Sequence, residues 1–114
     1  MNSRRIDRLR GTLKKELSDI IRNRVKDPRV RFVTVTDVEI SKDLRHVKVY
    51  VSVLGSDEDR TACLEGLTRA LGFIRGEMGR RIRLRYTPEM VLQYDKSIDA
   101  GMEIDRLLKE AFEE

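Results

Sequence analysis

The sequence has little of what most catalytic and metal sites need. It holds one cysteine, one histidine, no tryptophan, three tyrosines and three phenylalanines among 114 residues. The single cysteine, Cys63, excludes a disulfide within the chain, and nothing clusters Cys with His, so we expect a reducing compartment, no metal and no cofactor. A Ser-His-Asp or Cys-His constellation and a phosphate loop are also missing. We therefore expect no catalytic residue and no small-molecule substrate, and an enzyme is the least supported interpretation.

Long apolar runs are missing as well. No run approaches the roughly 18 residues of a membrane span, and the N-terminus lacks a signal-type apolar segment. An arginine-rich amphipathic start can also mark an organellar presequence, but Asp7, Glu16 and Asp19 argue against that alternative. We expect a cytoplasmic protein with no membrane partner. A chain of this length fits one domain over residues 1–114, acting as a monomer.

Basic side chains are plentiful, and they are sorted along the chain. Residues 1–31 carry eleven basic and four acidic side chains, and residues 69–85 carry six and one. The stretches 32–68 and 86–114 are acidic on balance. Two basic blocks separated by acidic ones favour a folded domain with one positive face, which is the property an anion-binding protein needs.

The apolar spacing predicts one long helix and a hairpin in the first half. Residues 4–25 repeat apolar side chains at helical spacing, and proline at position 28 marks the end of that helix. Residues 32–40 and 46–54 are rich in β-branched residues and predict two strands joined by a polar turn over 41–45. Val47, Val49, Val51 and Val53 should face the core. His46, alone at the start of the second strand, receives no chemical role.

A helix from about residue 59 to residue 81 follows, with Leu64, Leu67, Leu71, Ile74 and Met78 on one stripe. Glycines within a helix cost roughly 1 kcal/mol each relative to alanine, which indicates a bend or a close backbone approach. A short strand over 90–94 and a last helix over about 98–112 complete the order.

Several short stretches of the sequence resemble motifs of one known protein family and occur in the same order as in that family. They are Arg4-Arg5-Ile6, Asp27-Pro28-Arg29, Val33 to Val38, Ser41-Lys42-Asp43-Leu44, Arg83-Leu84-Arg85-x-x-Pro88-Glu89, and Tyr94-Asp95-x-Ser97 with Gly101. Over nearly the whole chain the sequence is similar to the ribosome-binding factor A family. Members often carry a longer charged tail, and this sequence departs from them by stopping soon after Phe112.

The resemblance implies an α+β fold, a single type II KH-like domain. Its order would be α-β-β-α-kink-α-β plus a C-terminal helix, with a three-stranded mixed sheet and helices on one face. Ordinary KH domains clamp nucleic acid with a GxxG loop, and the resemblance implies that an Ala-x-Gly bend at Ala70-Leu71-Gly72 replaces it. The GxxG string Gly76-Glu77-Met78-Gly79 is the alternative, disfavoured because Glu77 would repel phosphate and Met78 completes the apolar stripe.

The resemblance also implies binding to 16S rRNA within free or immature small ribosomal subunits, in support of rRNA processing. Basic residues from both blocks are the candidate RNA contacts: Arg75, Arg80, Arg81, Arg83, Arg85, Arg4, Arg5, Arg8, Lys14 and Lys15. Because aromatic residues are few, we expect stacking on bases to contribute little. The alternative is a protein-interaction module whose basic helix docks an acidic partner.

Overall fold

The structure is a computed structural model, and it describes residues 3–96. Helix α1 spans Ser3–Asn23, and its buried stripe comprises Leu13, Leu17, Ile20 and Ile21. The amides of Arg24 and Val25 both donate to the carbonyl of Ile20, at 2.8 and 3.1 Å, so the helix closes two residues earlier than the sequence predicts. The last predicted helix, over about 98–112, lies outside the described residues.

Three strands form one mixed sheet in the order β1-β2-β3. β1 (Val33–Ile40) pairs antiparallel with β2 (His46–Val53), and β3 (Glu89–Tyr94) pairs parallel with β2. A bulge shifts the register between Val35 and Asp37. Because of that extra residue, Val35 and Val38 both face the core although they are three positions apart.

The long predicted helix is two helices. α2 (Asp57–Arg69) begins with a capping box between Ser56 and Asp59, and α3 (Leu71–Arg81) follows after one residue. Ala70 stands between them with φ −84° and ψ −1°. The interruption thus lies at Ala70, and α3 runs without a break through the GxxG string over 76–79.

The helices cover one face of the sheet. α1 packs against β1 and α3, while α2 and α3 pack against β2 and β3 respectively. The four alternating valines of β2 are all buried beneath them, which confirms the predicted core face. This is the expected type II KH-like arrangement. No helix within residues 3–96 is long and apolar enough to cross a membrane.

Among the helical glycines of residues 3–96, Gly66 is the one that another segment approaches most closely. A Cβ added to Gly72 or Gly76 would meet nothing within 4 Å. At Gly66 it would lie 2.9 Å from Val30 Cγ2 and 3.0 Å from Asp27 Oδ2. Gly66 therefore lets α2 pack tightly against the segment that follows α1.

Candidate nucleic-acid interface

A groove runs between the first half of α1 and the loop over 82–88. Its volume is about 740 Å³. We call it the arginine groove, and its lining residues are Arg5, Ile6, Arg8, Leu9, Thr12, Leu44, Arg83, Leu84 and Arg85. Among residues 3–96, no acidic side chain lines it. The groove therefore offers four guanidinium groups above an apolar floor.

Helix geometry explains how α1 supplies one wall. Arg5, Arg8 and Thr12 follow each other at steps of three and four, so they share one side of the helix beside the buried stripe. Arg83 and Arg85 supply the facing wall from the loop. The two basic blocks of the sequence thus meet at one place, as a single positive face requires.

Arg75 fixes the loop that carries Arg83 and Arg85. Its Nε donates to the carbonyl of Pro88 at 2.8 Å, and its Nη2 donates to the carbonyl of Thr87 at 3.0 Å. The Nη2 atom also lies 3.6 Å from a carboxylate oxygen of Glu89. The Nε and Nη2 groups of Arg75 thus donate to the protein itself. Arg75 therefore supports the loop beside the groove.

Arg81 faces α1 and is held by two carboxylates. Its Nη1 donates to Asp19 at 2.6 Å and to Glu16 at 3.1 Å, and its side chain is 26% exposed. The hydrogen bond from Arg81 is the main reason that the pKa of Asp19 is lowered. These contacts join the end of α3 to the second half of α1.

Glu77 is the centre of a second ion cluster. Its carboxylate accepts a hydrogen bond from Arg80 at 2.8 Å and lies 3.9 Å from Arg81 and 4.0 Å from Arg24. With only 13% of its side chain exposed, Glu77 is surrounded by cations. Its charge is therefore largely compensated within the protein.

The remaining candidates on α1 are exposed but spread around the helix. Arg4, Lys14 and Lys15 all have exposed side chains. Nine residues separate Lys14 from Arg5, which places them about 180° apart around the helix. Of the ten predicted contacts, the groove brings together Arg5, Arg8, Arg83 and Arg85.

A second basic cavity, of about 520 Å³, lies at the interruption between α2 and α3. Arg24, Lys26 and Arg69 line it together with the partly exposed ring of Phe73. Asp27 also lines this cavity, and its carboxylate is paired with Arg29, whose hydrogen bond is the main cause of a pKa lowered to about 2. The sequence did not point to this site because Arg69 lies more than forty positions from Arg24 and Lys26, and only the packing of α2 beside the end of α1 brings the three cations together.

Comparison with known proteins decides the family. The family model described as ribosome-binding factor A matches residues 5–108. The chain belongs to the ribosome-binding factor A family. It is 52% identical to ribosome-binding factor A of Brevibacillus brevis over 110 residues, covering 96% of this chain and 91% of the relative. It is 51% identical to that of Halothermothrix orenii over 114 residues, covering 100% and 93%.

Solved structures of the family share the fold. The crystal structure of ribosome-binding factor A from Thermus thermophilus matches with a TM-score of 0.69 at 31% identity, over 77% of this chain and 93% of that one. A homology model of the Thermus thermophilus factor, fitted into the cryo-EM map of a 30S complex with that factor, matches with a TM-score of 0.63 at 30% identity. That match covers 76% of this chain and 91% of the other.

Two of the motifs that carried the family resemblance meet beside the groove. The turn over 41–44 and the loop over 83–89 come together where the amide of Glu89 donates to the carbonyl of Arg45 at 2.8 Å. Leu44 and Leu84 then line the same cavity. These family motifs therefore build the groove wall and floor.

Proposed function

We propose that the protein binds the small (30S) ribosomal subunit through 16S rRNA and supports rRNA processing late in subunit maturation. Membership in the ribosome-binding factor A family supports this, as does the likeness to the Thermus thermophilus factor fitted into the map of a 30S complex. We take the protein to act as a monomer in the cytoplasm, as a binding factor without a cofactor or a catalytic step.

The arginine groove is the observation that carries the proposal. Arg5 and Arg8 on one wall and Arg83 and Arg85 on the other can each approach a phosphate oxygen, and no acidic side chain of residues 3–96 lines the space between them. Guanidinium groups suit phosphate because their planar donors bind it in pairs. The groove would therefore recognise the RNA backbone, and binding should weaken steeply with salt.

The other predicted contacts take different places in this proposal. Arg4 and Lys15 extend the positive surface of α1. Lys14 contacts RNA only where the RNA wraps around the helix. Arg75, Arg80 and Arg81 chiefly hold the loop and the ion clusters in place. We also propose that the bend at Ala70, with Leu71 and Gly72 after it, stands where an ordinary KH domain has its GxxG loop.

Co-sedimentation with purified small subunits tests the proposal. Arg83→Glu with Arg85→Glu reverses one wall of the groove, and we expect it to abolish binding at moderate salt. The matched control is Arg31→Glu with Lys48→Glu, which makes the same charge change. Arg31 precedes β1 and contacts Phe32, at the far end of the hairpin from Leu44, and Lys48 lies in β2, outside the lining of the groove. Equal binding by both double variants would contradict the proposal.

A nuclease step separates RNA from protein as the partner. If the association depends on rRNA, it should disappear when the exposed RNA of the subunit is digested before sedimentation. An association that survives digestion would favour the alternative hypothesis, in which the basic helix docks an acidic protein.

A further inference from the structure

Tyr86 is an exposed aromatic ring beside the arginine groove. It lies in the loop between α3 and β3, and 54% of its surface is exposed. The ring is no part of the hydrophobic core of residues 3–96, in which Tyr94 does take part. A large aromatic side chain left in solvent next to a cluster of cations therefore has no packing role to explain it.

Two arginines already lie against this ring. The Cζ atoms of Arg45 and Arg85 are 5.1 and 5.6 Å from its centroid. Such contacts use the electron-rich face of the aromatic ring, which is also the face that stacks on a nucleobase. The ring thus presents to a ligand the same surface that now attracts guanidinium groups.

The cavity at Tyr86 adjoins the arginine groove. It measures about 280 Å³ and is lined by Asp43, Leu44, Arg45, Leu84, Arg85 and Tyr86. Leu44, Leu84 and Arg85 line both spaces. An RNA backbone lying in the groove would therefore bring its next nucleotide to the ring.

Both sides of this cavity are held rigidly. In the turn before β2, Asp43 Oδ1 accepts hydrogen bonds from Ser41 Oγ at 2.6 Å and from the amide of Arg45 at 3.0 Å. On the other side, Arg75 holds the carbonyls of Thr87 and Pro88, which directly follow Tyr86. Hydrogen bonds thus hold the backbone on both sides of the cavity, which lowers the entropic cost of ordering this region around a ligand.

We propose that Tyr86 stacks on an unpaired base of the RNA whose backbone lies in the arginine groove. The base takes the place of the Arg85 guanidinium on the ring, and Arg85 turns to the adjacent phosphate. The ligand class is a single-stranded nucleotide, because a base inside a duplex is already stacked on both faces. This inference rests on the proposed function, and it assigns stacking a larger part than the small number of aromatic residues suggests.

The absence of tryptophan gives a direct assay. Tyr86→Trp introduces the only tryptophan of the chain, and its fluorescence can be followed during titration with a single-stranded oligoribonucleotide of about six residues. We expect quenching by this RNA and none by an abasic strand of equal length and charge. Tyr50→Trp, on the central strand, is the control and should be quenched by neither. Equal or absent quenching of Tyr86→Trp by the two strands, at concentrations where both bind, would overturn the inference.

Affinity measurements separate this inference from the proposed function. Tyr86→Ala should weaken binding to the single strand about tenfold, while Tyr86→Phe keeps wild-type affinity because the ring remains. Binding to a duplex with as many phosphates should be the same in all three proteins. If Tyr86→Ala binds the single strand as well as wild type, the stacking role is wrong and the groove is untouched. If wild type binds neither RNA nor small subunits, both proposals fail.

Discussion

Replacing Gly66 with alanine tests how closely the bent helix packs against the segment that follows α1. The added Cβ would lie 2.9 Å from Val30 Cγ2 and 3.0 Å from Asp27 Oδ2, whereas carbon atoms in contact prefer about 3.5 to 4.0 Å. Neither neighbour retreats easily. Val30 is β-branched and stiff at χ1, and both carboxylate oxygens of Asp27 accept hydrogen bonds from Arg29, at 3.1 and 2.8 Å.

The expected magnitude is the difference between two opposing effects. Alanine improves helix propensity by about 1 kcal/mol relative to glycine. Overpacking a tight site costs about 1 to 3 kcal/mol, and the two close contacts place Gly66 in the upper part of that range. Gly66→Ala should therefore lower the free energy of unfolding by about 1 to 2 kcal/mol. Gly76→Ala meets no atom within 4 Å, so it should raise that free energy by up to about 1 kcal/mol.

Urea denaturation followed by circular dichroism measures both variants against wild type. The two alanine variants should differ by about 2 kcal/mol, which is well above the error of a midpoint comparison. Equal stability of the two, or a more stable Gly66→Ala protein, would refute the close approach of α2 to this segment.

Three other predictions concern the charged side chains. Arg29 lowers the pKa of Asp27 to about 2, so the ionised carboxylate stabilises the fold above its unfolded pKa of 3.8, and this contribution is lost as the pH falls toward 2. Asp27→Asn should therefore flatten the acid-unfolding curve in that pH range. An unaltered curve would contradict this prediction. Arg81→Ala should raise the pKa of Asp19 in an NMR titration, since its hydrogen bond is the main cause of the low value; an unchanged pKa would refute the ion pair. Arg75→Gln should speed hydrogen exchange in the 82–88 loop and leave the core amides protected, because two loop carbonyls lose their donor. Exchange in that loop at the wild-type rate would count against a role of Arg75 in holding it.

Periodic patterns in the sequence were enough to predict the helices and strands, whereas the fold was implied by the family resemblance. Alternation in β2 and the helical stripes of α1 and α3 are local signals, and each corresponds to a buried face in the structure. The bulge between Val35 and Asp37 was not visible in the pattern, because a run of β-branched residues predicts a strand with or without an extra residue. The interruption after Arg69, by contrast, agrees with the bend that the glycines indicated and that the family resemblance implied at Ala70-Leu71-Gly72.

The candidate interface was predictable in part. The distribution of charge along the chain identified two basic blocks whose residues meet in the structure, but it could not tell an arginine that faces a groove from one that holds a neighbouring element. Arg83 and Arg81 are two residues apart, yet one lines the groove and the other is held by carboxylates of α1. Their difference comes from the end of α3 between them, since Arg81 is its last residue and the chain is extended at Ile82.

Counting the aromatic residues and locating them in the structure lead to different hypotheses. A total of six gave no reason to expect stacking, because most such rings pack in a core. Tyr86 is not such a core ring, because it lies in solvent between Arg45 and Arg85. Such a placement depends on tertiary contacts made by Arg75 and by the turn before β2, and no local pattern records it.

The salt dependence of binding to purified small subunits tests the central claim most directly. The logarithm of the association constant should fall linearly with the logarithm of salt concentration, and each phosphate contact adds about 0.7 to 0.9 to the slope. Arg83→Gln with Arg85→Gln removes two contacts without reversing charge, so the slope should become shallower by about 1.4 to 1.8. A slope equal to that of wild type would show that the arginine groove does not hold the rRNA backbone.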